Sequence, residues 1–406
     1  MGIELKKPIV TPVLIPYSIH EKCVNVIVGT VHTKIKYGTR HLNGGLKYLI
    51  KYITFKIMKS NFFYIFLICY TLFSTPNYAK DISPNMVDGK FKNPIGSPQR
   101  SGKSKWSYWT FFKEKKKIKI NIPQDHIIDE ELVLKSLQEN KNNDYISWIG
   151  HATFIIKLGK NIIITDPIFS KNAGPAFLGS YRYVKPAIPL NKIPKTDALL
   201  LTHSHYDHLD TRTLSKFPHK QTKAIVPLKL DKFFSSRGFK NIQQLDWYQS
   251  TKINNEIKIT LVPAVHWSKR TPFNTNETLW GSFLIEYRDK KILFACDTGI
   301  GNVYKDIGEK FGPIDMLFIN IGAYDFRPMF DRSIFHTTPE EALEVGKMVK
   351  AKKVIGMHWG TFILSLEDPF EPPVRFKKSA EKFGYQKEDA VLFKIGELKT
   401  INEIIK

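Results

Sequence analysis

The run Ala198–Asp210 reads ALLLTHSHYDHLD and sets four side chains able to hold a metal into six residues: His203, His205, Asp207 and His208. Side chains repeat every second residue along a strand. Where the chain leaves the apolar Leu199–Thr202 segment, His203 and His205 can therefore point the same way, with Asp207 and His208 turning to a second position beside the first. Imidazole nitrogen and carboxylate oxygen suit zinc, with iron and manganese as competitors. Three of the chain's 12 histidines fall here, behind a run that reads as a buried strand, so a polar loop that collects histidines by chance is the weaker reading. One metal or two stays open on these residues alone.

Three later segments share one format, in which a β-like run ends and a donor follows at once. Thr260–Val265 runs into His266-Trp267, Lys291–Cys296 into Asp297-Thr298-Gly299, and Lys353–Met357 into His358-Trp359-Gly360. A lone strand-end His or Asp is more often a satisfied structural residue. Together with the first cluster, these supply the seven donors that two metals need.

Flanking residues extend the pattern. Trp148-Ile149-Gly150-His151-Ala152-Thr153, Asp166-Pro167-Ile168-Phe169, Leu279-Trp280-Gly281-Ser282, His336 followed by Pro339-Glu340-Glu341-Ala342, and His358-Trp359-Gly360-Thr361-Phe362 occur in order with the donors. In this the chain resembles the metallo-β-lactamase fold superfamily, and within it the N-acylphosphatidylethanolamine-hydrolysing phospholipase D family and its bacterial zinc-dependent hydrolase relatives. The likeness runs from roughly Asp88 to the C-terminus.

The resemblance implies an α/β fold, a four-layer αββα sandwich, with two Zn2+ per chain. His203, His205 and His266 would hold one ion, Asp207, His208 and His358 the other, and Asp297 would bridge them. Asp207, Asp297 and His336 are the expected catalytic residues, and His151, His336 and Trp267 the expected substrate contacts. For His151, support of the ligands belongs to the same reading and a structural hydrogen bond is an equal one, and for His336 so is helix-entry packing. Asp166 is expected to support the ligands or its neighbouring turn, and Tyr206 to be a solvent-facing ring. The implied reaction is cleavage of a phosphodiester by a metal-bound hydroxide, with an N-acylphosphatidylethanolamine-type phospholipid as candidate substrate. A lactonase or other ester hydrolase on the same donors is the alternative, because the fold does not fix the substrate. A redox di-iron protein and a non-enzymatic lipid-binding module belong to other classes; the first lacks a visible flavin-binding segment, and the intact donor set weighs against the second.

The elements that must position these residues are short. β-like runs occur at Tyr145–Ile149, Thr153–Leu158, Asn161–Thr165, Ala198–Thr202, Ala224–Val226, Ile257–Val262, Ser282–Tyr287, Ile292–Ala295, Met316–Ile319 and Val354–Met357. Helical patterns occur at Asp129–Glu139, Thr211–Phe217, Lys229–Arg237 and Pro339–Val349, the last with Thr338 as N-cap and Pro339 at its first position. Many strands, few long helices and donors at strand ends point to stacked sheets flanked by helices.

With 61 Lys and Arg against 38 Asp and Glu, the net charge of +23 favours an anionic partner such as a phospholipid surface. The lysine excess is diffuse and no basic exosite stands out, so specific nucleic-acid binding is not expected. Cys23, Cys69 and Cys296 form neither a zinc-like pair nor a disulfide framework. Residues 58–79 have the layout of a signal peptide or uncleaved anchor: Lys59, an apolar run from Phe62 to Phe73, then small and polar residues to Ala79. An exported, periplasmic or membrane-associated location follows, with a cytoplasmic one as the alternative. Residues 1–57, with nine Lys and Arg against two Asp and Glu, read as a doubtful extension, disordered or ahead of the true start at Met58. The hydrolase domain is expected over 80–406. Its arm, 80–121, reads as irregular, with Trp106, Tyr108, Trp109, Phe111 and Phe112 as an aromatic cluster for packing or lipid contact. The sequence does not reveal the oligomeric state.

Overall fold

A computed structural model describes residues 83–99, 108–326 and 334–406. The segments 1–57 and 58–79, and Trp106, lie outside the described residues. The arm begins with a short hairpin, β1 (Met86–Val87) and β2 (Lys90–Phe91), and then forms a helix, α1 (Tyr108–Lys115). Its composition suggests no regular structure. Burial supplies what composition does not, since Met86 and Phe91 join the main core and Phe111 stacks on Phe326. Trp109 and Phe112 remain exposed.

The next elements are α2 (Glu130–Glu139), β3 (Tyr145–Gly150), β4 (Thr153–Leu158), β5 (Asn161–Thr165), β6 (Asn172–Ala173), β7 (Ser180–Tyr181) and β8 (Ala198–Leu200). They are followed by α3 (Thr211–Lys216), β9 (Lys223–Pro227), α4 (Asp231–Ser235), β10 (Ile242–Leu245), β11 (Ser250–Ile253), β12 (Ile257–Val262), β13 (Ser282–Tyr287) and β14 (Lys290–Cys296). The chain closes with α5 (Val303–Phe311), β15 (Ile314–Asn320), α6 (Pro339–Met348), β16 (Ala351–Met357), α7 (Glu371–Ser379), β17 (Ala390–Val391), β18 (Leu398–Thr400) and α8 (Ile401–Ile405).

Two seven-stranded sheets carry the fold, in the orders β10-β9-β8-β5-β4-β3-β18 and β11-β12-β13-β14-β15-β16-β17. Each is antiparallel in one half and parallel in the other, changing at β5/β8 and at β14/β15. Strands such as β4 and β15 are buried at every position, which is why they read as continuous Ile, Leu and Phe runs rather than alternating ones. The sheets meet through Phe154 of β4, whose ring packs edge-on against Phe318 of β15 at 5.0 Å and Phe294 of β14 at 6.3 Å. Together with the helices, this is the α/β sandwich the resemblance implies.

The start of α6 has the expected N-cap, Thr338, as part of a capping box. The Glu341 amide donates to Thr338 Oγ1, and the Thr338 amide to Glu341 Oε2. By contrast, α5 has no sequence signal of that strength, and its nine residues are helical because Val303, Tyr304 and Ile307 are buried against the core. Edge strands β10 and β11 are half polar and were not legible for the same reason. Among the described residues, no helix is long and apolar enough to cross a membrane.

Candidate metal centre

Strand direction collects the donors. In the first sheet β3, β5 and β8 run one way, and their C-terminal ends lead into His151, Asp166 and His203. In the second sheet β12, β14 and β16 share a direction, and their ends lead into His266, Asp297 and His358. Strand ends near a change of sheet order open a crevice that ligand groups can line. To aim side chains into it the backbone turns sharply: His151, Asp166, Cys296 and His358 have φ of +57°, +33°, +57° and +66°. Left-handed backbone at non-glycine residues is costly and clusters where function requires it.

The seven expected donors come together in two groups. His203 Nε2 and His266 Nε2 stand 3.0 and 3.1 Å from His205 Nδ1. Beside them, His358 Nε2 lies 3.2 Å from both His208 Nε2 and Asp207 Oδ2. Asp297 Oδ2 lies between the groups, 3.0 Å from His208 Nε2, 3.1 Å from His358 Nε2 and 3.9 Å from His203 Nε2.

These donors fit a metal. Thr202 Oγ1 donates to Asp166, so the His203 Nδ1–H donates to Thr202 Oγ1, at 2.9 Å, and leaves Nε2 with a bare lone pair. The His266 Nδ1–H donates to Phe335 O at 3.0 Å, with the same result at its Nε2. Both lone pairs face His205 Nδ1, whose single N–H could satisfy only one, and His205 Nε2 is buried without a partner. Lone pairs crowded this way call for a shared cation. Tetrahedral zinc with bonds of about 2.0–2.1 Å would set its donor atoms ~3.3 Å apart, close to these spacings.

Charge follows the same division. Burial, followed by the neighbouring imidazoles, holds His203 and His266 well below their ordinary range, and burial lowers His205 to about 3, so all three stay in the neutral, metal-binding form. Burial disfavours the Asp207 and Asp297 carboxylates, but the surrounding histidines, His208 foremost, outweigh it and hold both well below the usual carboxylate range.

Asp166 is the support on which both groups depend. Its Oδ1 accepts from the Thr202 amide at 2.8 Å; its Oδ2 accepts from Thr202 Oγ1 at 2.6 Å, His208 Nδ1 at 2.8 Å and Cys296 Sγ at 3.1 Å. Burial, then Asp166, raises the Cys296 thiol well above its ordinary range, so it remains a donor. Asp166→Ala would free His208 directly and His203 through Thr202. We expect metal affinity to fall by about 10–100-fold at both positions, read by competition with a chromophoric chelator. Loss at one position alone would contradict this coupling.

His151 is buried and turns Nε2 to Asp207 Oδ2 at 3.1 Å, which favours orienting the carboxylate over open substrate contact. His336 stands at the centre, Nε2 3.8 Å from Asp297 Oδ2, with Nδ1 buried and unpartnered. Its approach depends on Gly299, where a Cβ would lie 2.0 Å from Ile334 O. Trp267 is half-buried, its ring edge-on to His205 at 4.3 Å. Tyr206 is not a free solvent-facing ring. It lies under the Arg270 guanidinium at 3.9 Å and donates to Arg270 O at 2.9 Å.

Sequence reasoning missed Arg270, whose Nη1 donates to Ser204 O and Leu209 O and so clamps the donor loop. It also missed Asn93 of the arm, whose Oδ1 accepts from the His266 amide and from Trp280 Nε1. Neither has a local signal, because each acts across more than sixty residues.

A family model described as a beta-lactamase superfamily domain matches residues 161–359. The chain is 32% identical over 270 residues to the N-acyl-phosphatidylethanolamine-hydrolyzing phospholipase D 1 of Caenorhabditis elegans, an alignment covering 62% of this chain and 75% of that protein. It is 33% identical over 270 residues to the mitochondrial N-acyl-phosphatidylethanolamine-hydrolyzing phospholipase D of Saccharomyces cerevisiae, covering 64% of this chain and 57% of that one. Among solved structures, isothiocyanate hydrolase from Delia radicum gut bacteria superposes with a TM-score of 0.50 at 19% identity, over 63% of this chain and 99% of that one.

Proposed function

Since this chain belongs to the metallo-β-lactamase fold superfamily, as a metal-dependent hydrolase, we propose that it is a two-zinc phosphodiesterase of the phospholipase D type. Its proposed substrate is a phospholipid with an N-acylated ethanolamine headgroup. The observation that carries this reading is the pair of donor groups joined by Asp297 Oδ2, read with the names of the two relatives. His203, His205 and His266 would hold one ion, Asp207, His208 and His358 the other, with Asp297 between them. When bound, two zinc ions lower the pKa of a water toward about 7 and offset charge gathering on phosphoryl oxygens.

The chain's own groups do the rest. Asp207 and Asp297 are held ionised, so either can accept a hydrogen bond from a water and orient it. Asp207 is fixed for this by His151. Burial lowers His336 to about 4, so it meets substrate as a neutral ring that can place a phosphoryl oxygen or the departing group. Net positive charge favours work at an anionic lipid surface, in keeping with an exported or membrane-associated protein. Metal analysis with a lipid-extract assay tests this reading. About two zinc per chain and release of N-acylethanolamine are expected; bound iron, or turnover of lactones and esters but no phosphodiester, would overturn it.

Proton release gives an independent test. Burial opposes charge on His208 and His358, but Asp297 and Asp207 outweigh it, holding His208 well above its ordinary range and His358 at about 9. At pH 7 the metal-free centre therefore carries both protons, and zinc must displace them. Loading is expected to release about two protons per chain at pH 7. Zinc affinity should rise with pH from neutrality through about 9, where His358 is half deprotonated. Calorimetry in buffers of differing ionisation enthalpy measures the release, and a value near zero would contradict the assignment.

A further inference from the structure

Lys115 ends α1, the helix that composition did not announce, and starts two chains of contacts toward the metal centre. Its Nζ donates to Ser180 Oγ at 2.8 Å and stands 5.8 Å from the Phe111 ring centroid. Phe111 stacks on Phe326 at 5.7 Å, and the Phe326 ring is 6.2 Å from that of His336. On the other side, β7 leads from Ser180 to Arg182, which bridges to Phe362, and the Phe362 ring packs edge-on against His151 at 5.1 Å. One chain of contacts thus reaches His336 and the other His151, and the Lys115 ammonium from which both start lies within electrostatic reach of Asp207.

That ammonium is half-buried and has three hydrogens to donate. Among the described residues a neutral hydroxyl takes one of them, and no carboxylate lies within ion-pair distance. Burial lowers its pKa to about 8, with Glu367 and Asp207 pulling the other way, so it is still charged at pH 7. A cation shielded from water without a counter-ion is costly unless a ligand brings the charge.

We infer that Lys115 binds the anionic group of the substrate, a singly charged phosphodiester, and selects charged over neutral substrates of the same centre. This rests on the phosphodiesterase reading above. The competing role is structural, in which the Lys115–Ser180 bond only ties α1 to β7.

The test compares the zinc-loaded full chain with its Lys115→Ala and Lys115→Arg variants. Calorimetry with diethyl phosphate reads anion binding without turnover. Loss of one charged hydrogen bond should weaken that binding about tenfold or more in Lys115→Ala, and Lys115→Arg should restore most of it. The ratio of kcat/KM for bis(p-nitrophenyl) phosphate to that for p-nitrophenyl acetate should fall by a similar factor in Lys115→Ala and recover in Lys115→Arg. Equal losses on both substrates, or undiminished diethyl phosphate binding, would overturn the inference in favour of the structural tie. If the wild type hydrolyses neither substrate while Lys115→Ala still weakens diethyl phosphate binding, the phosphodiesterase reading falls and the anion contact stands. If hydrolysis is normal and the ratio in Lys115→Ala is that of the wild type, the reverse holds.

Discussion

Asp297→Ala is expected to lower phosphodiester hydrolysis on the order of 10³-fold, because it removes the carboxylate shared by both donor groups from a site where charge must be matched. The variant also leaves His208 and His358 without the strongest of the charges that favour their protonation. Both should then lose protons at lower pH, and metal content should drop at both positions. Asp297→Asn separates charge from shape: it keeps the side chain's size and should lose nearly as much activity. Metal content and kcat/KM, measured on the same preparations, decide the matter. A variant with two ions per chain and activity within about tenfold of wild type would remove Asp297 from the centre.

Phe154→Ala should cost about 3–5 kcal/mol of stability, the usual range for truncating a fully buried phenylalanine. Phe154 has no exposed surface, and its ring lies against Phe318, Phe294 and Trp148. The larger interest is functional. The first sheet delivers His203, His205, Asp207 and His208, and the second delivers His266, Asp297 and His358, so each donor group draws on both sheets. Phe154 is one of the side chains that fix the distance between the sheets. Loosening it should therefore weaken metal binding as well as shift the denaturation midpoint, although Phe154 touches no donor. Phe154→Leu, which fills most of the space, should lose much less on both measures. A destabilised Phe154→Ala protein with wild-type metal affinity would show that the donor loops hold their geometry without the sheets.

The donors themselves were legible because their chemistry is local. His203, His205, Asp207 and His208 fall within six residues, and His266, Asp297 and His358 each follow an apolar run, a pattern that needs no knowledge of the fold. The buried strands were legible for a related reason: a strand covered on both faces must be largely apolar, and β3, β4 and β5 read that way. Composition spoke less clearly where burial is partial. The arm contains β1, β2 and α1, held by single aromatic anchors such as Phe91 and Phe111, and a few anchors leave no periodic trace.

By itself, then, the sequence determined which atoms are available to a metal and that they follow strand ends, since residue type and spacing are covalent facts. Only the tertiary structure decided how they are shared and supported. It set Asp297 Oδ2 between two groups that each draw on both sheets, placed Asp166 beneath both, brought Asn93 to His266 and Arg270 to the donor loop, and carried Lys115 within electrostatic reach of Asp207. The physical reason is range. Coordination chemistry is written in residues close together in the chain, whereas hydrogen bonds that orient a ligand and charges that meet a substrate act over a few ångströms of space that folding alone brings together.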